Sequence, residues 1–419
     1  MAMTNLPPFT EAVSSTLRSA RGDRSRRKSE PLKREKIHPR ASVPETPSKF
    51  RDSTTGVPPK SLTPDAAPPV KRQLTASSRG QTARSMFIGV HHCVIMNDPV
   101  RRIKFKPKSR GLLGIASGST FRICDLFHSP PYETLFEGHK LPIVDFDWSN
   151  SDHLITGSSD KTVRIYNLTE KSTKAILLSN EVIAVRFHPL NHNLIAVSTL
   201  HSMIYFFNQS GKVISHCKIS STARCMDFST DGTLLFFGCA DGKVRWFKCT
   251  KDFQDFKYAG SNVVSVNRSI NSISYRDLHT NALRIPSLLV NLVDSTIKLF
   301  RINRDSETTF SFYPWVECPV LNISEVVRSS FAPLPSESEE GFIATGSENQ
   351  TVIIYVYPTT PSRDSISKSR QVDALQGHTG IVNDVSWNCD ETLLASSDSS
   401  GMVIVWKRWK KPSDFQTPT

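Results

Sequence analysis

The residues best suited to chemistry are a few histidines, cysteines and lysines, and their spacing argues against most reactions. His91, His92 and Cys93 are consecutive. On a strand, neighbours point to opposite faces and cannot easily share one ion. His188 and His192 bracket a proline turn, and with His201 they could make at most a weak site. The eight cysteines, at 93, 124, 217, 225, 239, 249, 318 and 389, form no C-x-x-C pair and no zinc-ligand spacing. They read as reduced, mostly packed thiols. Gly211-Lys212 and Gly242-Lys243 lack both the earlier glycine and the following Ser or Thr of a phosphate loop. No G-x-S-x-G elbow or H-E-x-x-H helix occurs. The expectation is a chain with no catalytic residues, no metal and no cofactor.

What the chain does contain is a repeat. Short strands ending in an aromatic return seven times, at Phe105, Trp148, Phe187, Phe228, Tyr275, Phe331 and Trp387. Each is followed by a second apolar strand (LLGIAS, HLITGS, LIAVST, LLFFGC, SLLVNL, FIATGS, LLASSD) and a third rich in β-branched and aromatic residues (TFRIC, TVRIY, MIYFF, KVRWF, TIKLF, TVIIY, MVIVW). Weaker fourth strands fall at ETLFEG, TKAILL, VISHCK and VDALQG. A period of about 40 to 45 residues is that of a propeller blade.

Gly138-His139 followed by Tyr166, and Gly377-His378 followed by Trp406, resemble the Gly-His to Trp-Asp frame of WD40 repeats. That resemblance implies four-stranded blades around a central channel. The expected fold is all-β: a seven-bladed propeller over 86–409, preceded by a basic arm. The last unit ends after its third strand, so 86–95 is expected to supply the outer strand of the last blade, removing an open sheet edge. Residues 410–419 read as a flexible tail. More narrowly, WNCDETLLASSDSSGMVIVWKR (387–408), HPLNHNL (188–194) and GSENQTVIIY (346–355) are similar to one group of WD-repeat proteins. This likeness implies a nuclear regulatory scaffold linked to transcriptional control.

The sequence also departs from the family pattern. No Trp-Asp dipeptide is present. The family's buried polar network is approached in the second unit, by His139, Thr156 or Ser158, Asp160 and Tyr166. The last unit offers His378 and Trp406, with its turn position falling on Ser400, and the sixth places Asn349 there. These residues read as structural. Sialidase-like enzymes share the fold class, but their S-x-D-x-G-x-T-W turns are not matched by Ser229 to Thr233 or by Ser397 to Gly401.

Four residues before each anchoring aromatic, the inner strand begins, where WD propellers commonly take peptides. The positions are Arg101, Val144, Ile183, Arg224, Asn271, Val327 and Asn383, with Glu181 and Glu325 two residues earlier in their units. Arg101, Glu181, Arg224, Asn271, Glu325 and Asn383 are the candidate binding residues. Two readings stand: they read a polar peptide, or they are solvated rim. Tyr313 and Trp315, in FSFYPWVECPV, are either a partner anchor or a cover for a blade edge, the second being favoured.

The net charge is +13, yet residues 1–85 hold seventeen basic and seven acidic residues, so most of the surplus lies there. Eleven prolines and only two aromatics in that segment leave too little apolar surface to offset ordering, so it is expected to be disordered. Arg24, Arg26, Arg27, Lys28, Lys33, Arg34 and Lys36 form two basic clusters, the composition of a nuclear localisation signal or a nucleic-acid patch. Ser29, Thr46 and Thr63 are candidate phosphosites, since charge added there would oppose such contacts. No apolar run approaches the ~18 residues that cross a bilayer, nor does the N-terminus carry a secretory signal pattern. The expected protein is soluble and not secreted, in the nucleus and also the cytoplasm, binding proteins on its propeller faces, with no membrane and no small-molecule substrate.

Two other classes remain open. One is a chromatin- or RNA-associated binder in which the arm and Lys407, Arg408, Lys410 and Lys411 neutralise phosphates. The other is a substrate receptor of a ubiquitin ligase, a group that resembles itself in a W-D-x-R ending, where this chain has Trp406-Lys407-Arg408.

Overall fold

A computed structural model describes residues 86–128, 132–249, 256–279, 284–305, 310–323, 326–333, 340–360 and 366–409. The arm with its basic clusters, Ser29, Thr46 and Thr63, as well as Glu325, Lys410 and Lys411, lies outside the described residues.

The described strands form seven antiparallel sheets arranged as the blades of a propeller. The inner strands, blades 1 to 7, are Val100–Phe105, Ile143–Trp148, Val182–Phe187, Ala223–Phe228, Ile270–His279, Ser329–Phe331 and Val382–Trp387. Burial follows position in the blade. The second strands Leu194–Thr199, Leu234–Cys239 and Leu393–Asp398 are buried at every residue, because each is covered on both faces by adjacent blades. Outer strands such as Ser172–Leu177 are almost wholly exposed. Continuous apolar runs therefore mark the second strands, and mixed polarity marks the rim.

The ring closes through Phe87–Ile95, which pairs antiparallel with Met402–Arg408 from Phe87 opposite Arg408 to Ile95 opposite Met402. The Phe87 ring lies 5.9 Å from that of Trp387, and the Trp409 amide donates to the Met86 carbonyl at 2.8 Å. Blade 5 has an additional strand. Ser367–Lys368, from the loop of blade 6, pairs in parallel with Phe310–Pro319. That outer strand contains Tyr313 and Trp315. Trp315 is buried and meets Tyr357 edge-on at 5.8 Å, packing blade 5 against blade 6. Tyr313 is exposed, with the Arg301 guanidinium 5.2 Å over its ring. Trp315 is thus cover rather than anchor.

Six inner strands share one irregularity. Their pairing slips at the second residue, between Val100 and Arg102, Ile143 and Asp145, Val182 and Ala184, Ala223 and Cys225, Ile270 and Ser272, and Val382 and Asp384. Each slip is a β-bulge, which leaves one residue out of the ladder and re-aims its side chain.

Candidate functional site at the channel mouth

The bulged residues are Arg101, Val144, Ile183, Arg224, Asn271 and Asn383, six of the positions read from the repeat phase. Their fates differ. Arg101 and Arg224 are exposed, and among the described residues no side-chain hydrogen bond or ion pair engages them. Asn383 is half-buried and donates from Nδ2 to the Val100 carbonyl at 3.1 Å, tying blade 7 to blade 1. Asn271 is buried. Glu181 is half-buried, and its carbonyl accepts the Leu200 amide. A cavity of ≈ 210 Å³ brings Arg101 and Asn383 together with Pro99, Val144, Arg328 and Ser399. Among the described residues, Glu181, Arg224 and Asn271 do not line it.

Arg328, from blade 6, reaches past blade 7 to donate from Nη1 to the Arg101 carbonyl of blade 1 at 2.8 Å. Burial, followed by the charge of Arg102, pushes its pKa down despite the pull of Asp384 and Asp145.

Below the mouth lies a polar core that reading the repeat did not reveal. Asp145 is flanked by Arg102 Nε at 3.0 Å and Arg186 Nη1 at 2.6 Å. Arg102 also reaches Asp384 at 3.1 Å, and Lys104 meets Asp147 at 2.6 Å. The carboxylates do a second job, because each accepts an inner-strand amide from the next blade. Asp145 takes Val185 N–H, Asp147 takes Phe187 N–H, Asp227 takes Tyr275 N–H and Asp384 takes Ile103 N–H. Ser386 does the same for Phe105 at 3.0 Å. Burial would raise the Asp145 pKa, yet Arg186 and then Arg102 hold it below the ordinary range. Asp227 goes the other way, because burial outweighs the pull of Arg186 and Lys104. The signal for this core was present in VDFDW and NDVSW, where polar residues alternate inside otherwise apolar inner strands. Carboxylates at such buried positions demand partners.

The blade networks stand apart from the mouth. In blade 2, His139 Nδ1 lies 3.0 Å from Asp160 and Nε2 lies 2.8 Å from Thr156, to which Tyr166 also bonds. Ser158 serves the turn, donating to the Leu141 carbonyl and accepting the Asp160 amide. Against its burial, the Thr162 hydroxyl and nearby amides bring Asp160 down to about 2. In blade 7 Ser400 does occupy the turn, but the carboxylate of the network comes from Asp398, at the strand position that Ser158 holds in blade 2; it is fully buried and bonds His378 Nδ1 at 2.9 Å. His378 Nε2 and Trp406 Nε1 both meet Ser396 Oγ, at 2.6 and 2.8 Å, so the network is complete here as well as in blade 2. Ser400 instead donates to Asp398. Asp398 was overlooked because counting back six residues from the aromatic, the distance from Tyr166 to Asp160, lands on Ser400, whereas in blade 7 the carboxylate stands eight residues before Trp406.

Arg408 also departs from expectation. Its guanidinium pairs with Glu391 and lies 4.8 Å over the Phe342 ring and 5.8 Å over Trp387, a structural position rather than a free phosphate contact. Lys407 is exposed. His188 is buried, with Nδ1 accepting the Asn191 amide at 2.8 Å and Nε2 facing the Gly232 carbonyl at 3.0 Å, so its ring is fixed within a turn.

Comparison with known proteins agrees with this architecture. The family model for the WD domain, G-beta repeat, matches residues 130–167, 207–248 and 369–407, so the chain carries WD40 repeats. The β-propeller domain of Cps50 (Swd1) from Myceliophteria thermophila superimposes with a TM-score of 0.60 at 16% identity, covering 76% of this chain and 99% of that one. Among curated proteins, an uncharacterized WD repeat-containing protein of Schizosaccharomyces pombe is 24% identical over 56% of this chain and 40% of its own length. WD repeat-containing protein 44 of Xenopus laevis is 22% identical over 63% of this chain and 28% of its own. The chain thus spans less than half the length of these two relatives. Protein transport protein SEC13-2 of Candida glabrata is 23% identical over 61% of this chain and 88% of its own length.

Proposed function

We propose that this protein is a non-catalytic WD-repeat scaffold that holds protein partners at the channel mouth, acting in the nucleus as a regulatory adaptor. The observation that carries the reading is the pair of exposed bulge arginines, Arg101 and Arg224, which have no side-chain partner among the described residues and stand on the ring of blades. An interaction surface needs such unengaged groups on a preorganised frame, since little ordering is then lost on binding. The basic clusters between Arg24 and Lys36 support nuclear import as the arm's role.

The test is affinity purification of the full chain from cells, at low and high salt, beside two variants. One replaces Arg101 and Arg224 with Glu, and the other replaces the seven clustered arm residues from Arg24 to Lys36 with Gln. Salt-resistant partners that vanish with the mouth variant and persist with the arm variant support the scaffold. Recovery that needs the arm and collapses with salt would instead favour a nucleic-acid binder, the reading to which the concentrated positive charge of 1–85 gives weight.

A further inference from the structure

We infer that the channel mouth holds an acidic side chain: a carboxylate of a partner polypeptide enters between Arg101 and Arg328, flanked by Val144 and Pro99. This rests on the reading of the mouth as a partner surface, and it specifies what enters.

The charges of the channel carry the argument. Among the described residues, five cations line the interior and its mouth: Arg101, Arg102, Lys104, Arg186 and Arg328. Three of them are matched, Arg102 by Asp145 and Asp384, Arg186 by Asp145, and Lys104 by Asp147. The fourth carboxylate, Asp227, binds the Phe228 and Tyr275 amides. Among the described residues, which do not include Glu325, Arg328 has no carboxylate contact, and its side chain makes one hydrogen bond, to a neutral carbonyl. A guanidinium carries five N–H donors in a fork that matches a carboxylate, so most of its capacity is unused. The cavity it faces contains, among the described residues, no acidic group and a second unpaired arginine, Arg101. An entering lysine or arginine would meet repulsion from both. The aliphatic walls of Pro99 and Val144 suit the methylenes of a glutamate, whose carboxylate then reaches the two guanidinium groups of Arg101 and Arg328.

The proposal is tested by fluorescence anisotropy on the full chain with three labelled peptides that differ only in the central residue: GGVEVGG, GGVQVGG and the same peptide with phosphoserine. The glutamate peptide is expected to bind at least tenfold more tightly than the glutamine peptide. Arg328→Met should erase that preference, Arg328→Lys should keep part of it, and Arg101→Gln, at an exposed position, should weaken it severalfold. Without peptide, Arg328→Met should melt no lower than the parent, because it removes a cation crowded by Arg102. Equal binding of the Glu and Gln peptides, including no binding by either, overturns the inference. So does a preference for phosphoserine over glutamate, or a melting temperature several degrees lower for Arg328→Met. If partners are still captured from cells while the peptides are not discriminated, only this inference fails. If wild-type protein captures no partner at all, the scaffold reading fails instead.

Discussion

Replacing Asp398 with Ala should be among the most damaging single changes in the propeller. Its carboxylate is fully buried and accepts from His378 Nδ1, the Ser400 amide and hydroxyl, and the Met402 amide at 2.7–2.9 Å, with the Thr379 and Gly380 amides at 3.3 Å. Truncation strands those donors away from water, and breaking a buried charged partnership of this kind costs about 3–5 kcal/mol. At about 2 °C per kcal/mol for a domain of this size, the melting temperature should fall by ~6–10 °C. Ser400→Ala removes a hydroxyl that bonds Asp398 and Thr379 at an exposed position and should cost about 0.5–1 kcal/mol. The two variants, followed by calorimetry and by urea denaturation, separate the structural assignment from the sequence reading. The acid limb supplies a second check. Against burial, the His378 and Ser400 hydrogen bonds hold the Asp398 carboxyl well below its ordinary range. A depressed folded pKa gives stability that is complete above the unfolded value, near 4, and is lost as pH falls toward the folded one. The gap between wild type and Asp398→Ala should therefore narrow below about pH 4. Equal losses for Asp398→Ala and Ser400→Ala, or a gap that widens in acid, would refute the reasoning.

Other outcomes are as definite. Phe87→Ala, which removes the ring packed on Trp387, should cost about 3 kcal/mol and speed amide exchange in Met402–Arg408, because the closing strand pairs there. Arg102→Met should destabilise the ring by about 3–5 kcal/mol by leaving Asp145 and Asp384 short of a cation, and simultaneous Asp384→Asn should recover part of the loss in a double-mutant cycle. Asp160→Asn should lose its deficit relative to wild type between pH 4 and 2, the window set by a carboxyl brought down to about 2. Among the described cysteines, iodoacetamide should label Cys93 and Cys389 first in the native protein, with Cys124, Cys225, Cys239, Cys249 and Cys318 protected until unfolding, as mass spectrometry would show.

How much of this could be read from the sequence depended on the kind of signal. The repeat of aromatic-ended strands reports burial between blades, and burial is what the unbroken runs LIAVST and LLFFGC encode directly. Residue phase was equally informative: counting back four from the aromatic found the six bulge positions without any knowledge of bulges. Spacing served less well at Asp398, since the offset that finds Asp160 in blade 2 lands two residues past the carboxylate that blade 7 uses. It failed for partner choice. That Asn383 turns to the Val100 carbonyl while Arg101 stays unengaged depends on the meeting of the first and last blades, which no local pattern contains.

The channel core extends the same argument to function. Asp145 and Asp384 look, in sequence, like polar interruptions of apolar strands, and only the closed ring shows them clasping Arg102 from two sides. Such clasps hold adjacent inner strands in register, since each carboxylate also binds an amide of the next blade. They consume the interior cations one by one and stop short of Arg328. Had Arg328 served only the fold, an apolar residue of similar length would fill its place without the cost of burying a charge. Its place beside Arg101, with no carboxylate contact among the described residues, is the feature on which the proposed site for an acidic side chain rests, and such a site would let a scaffold select one partner segment over another.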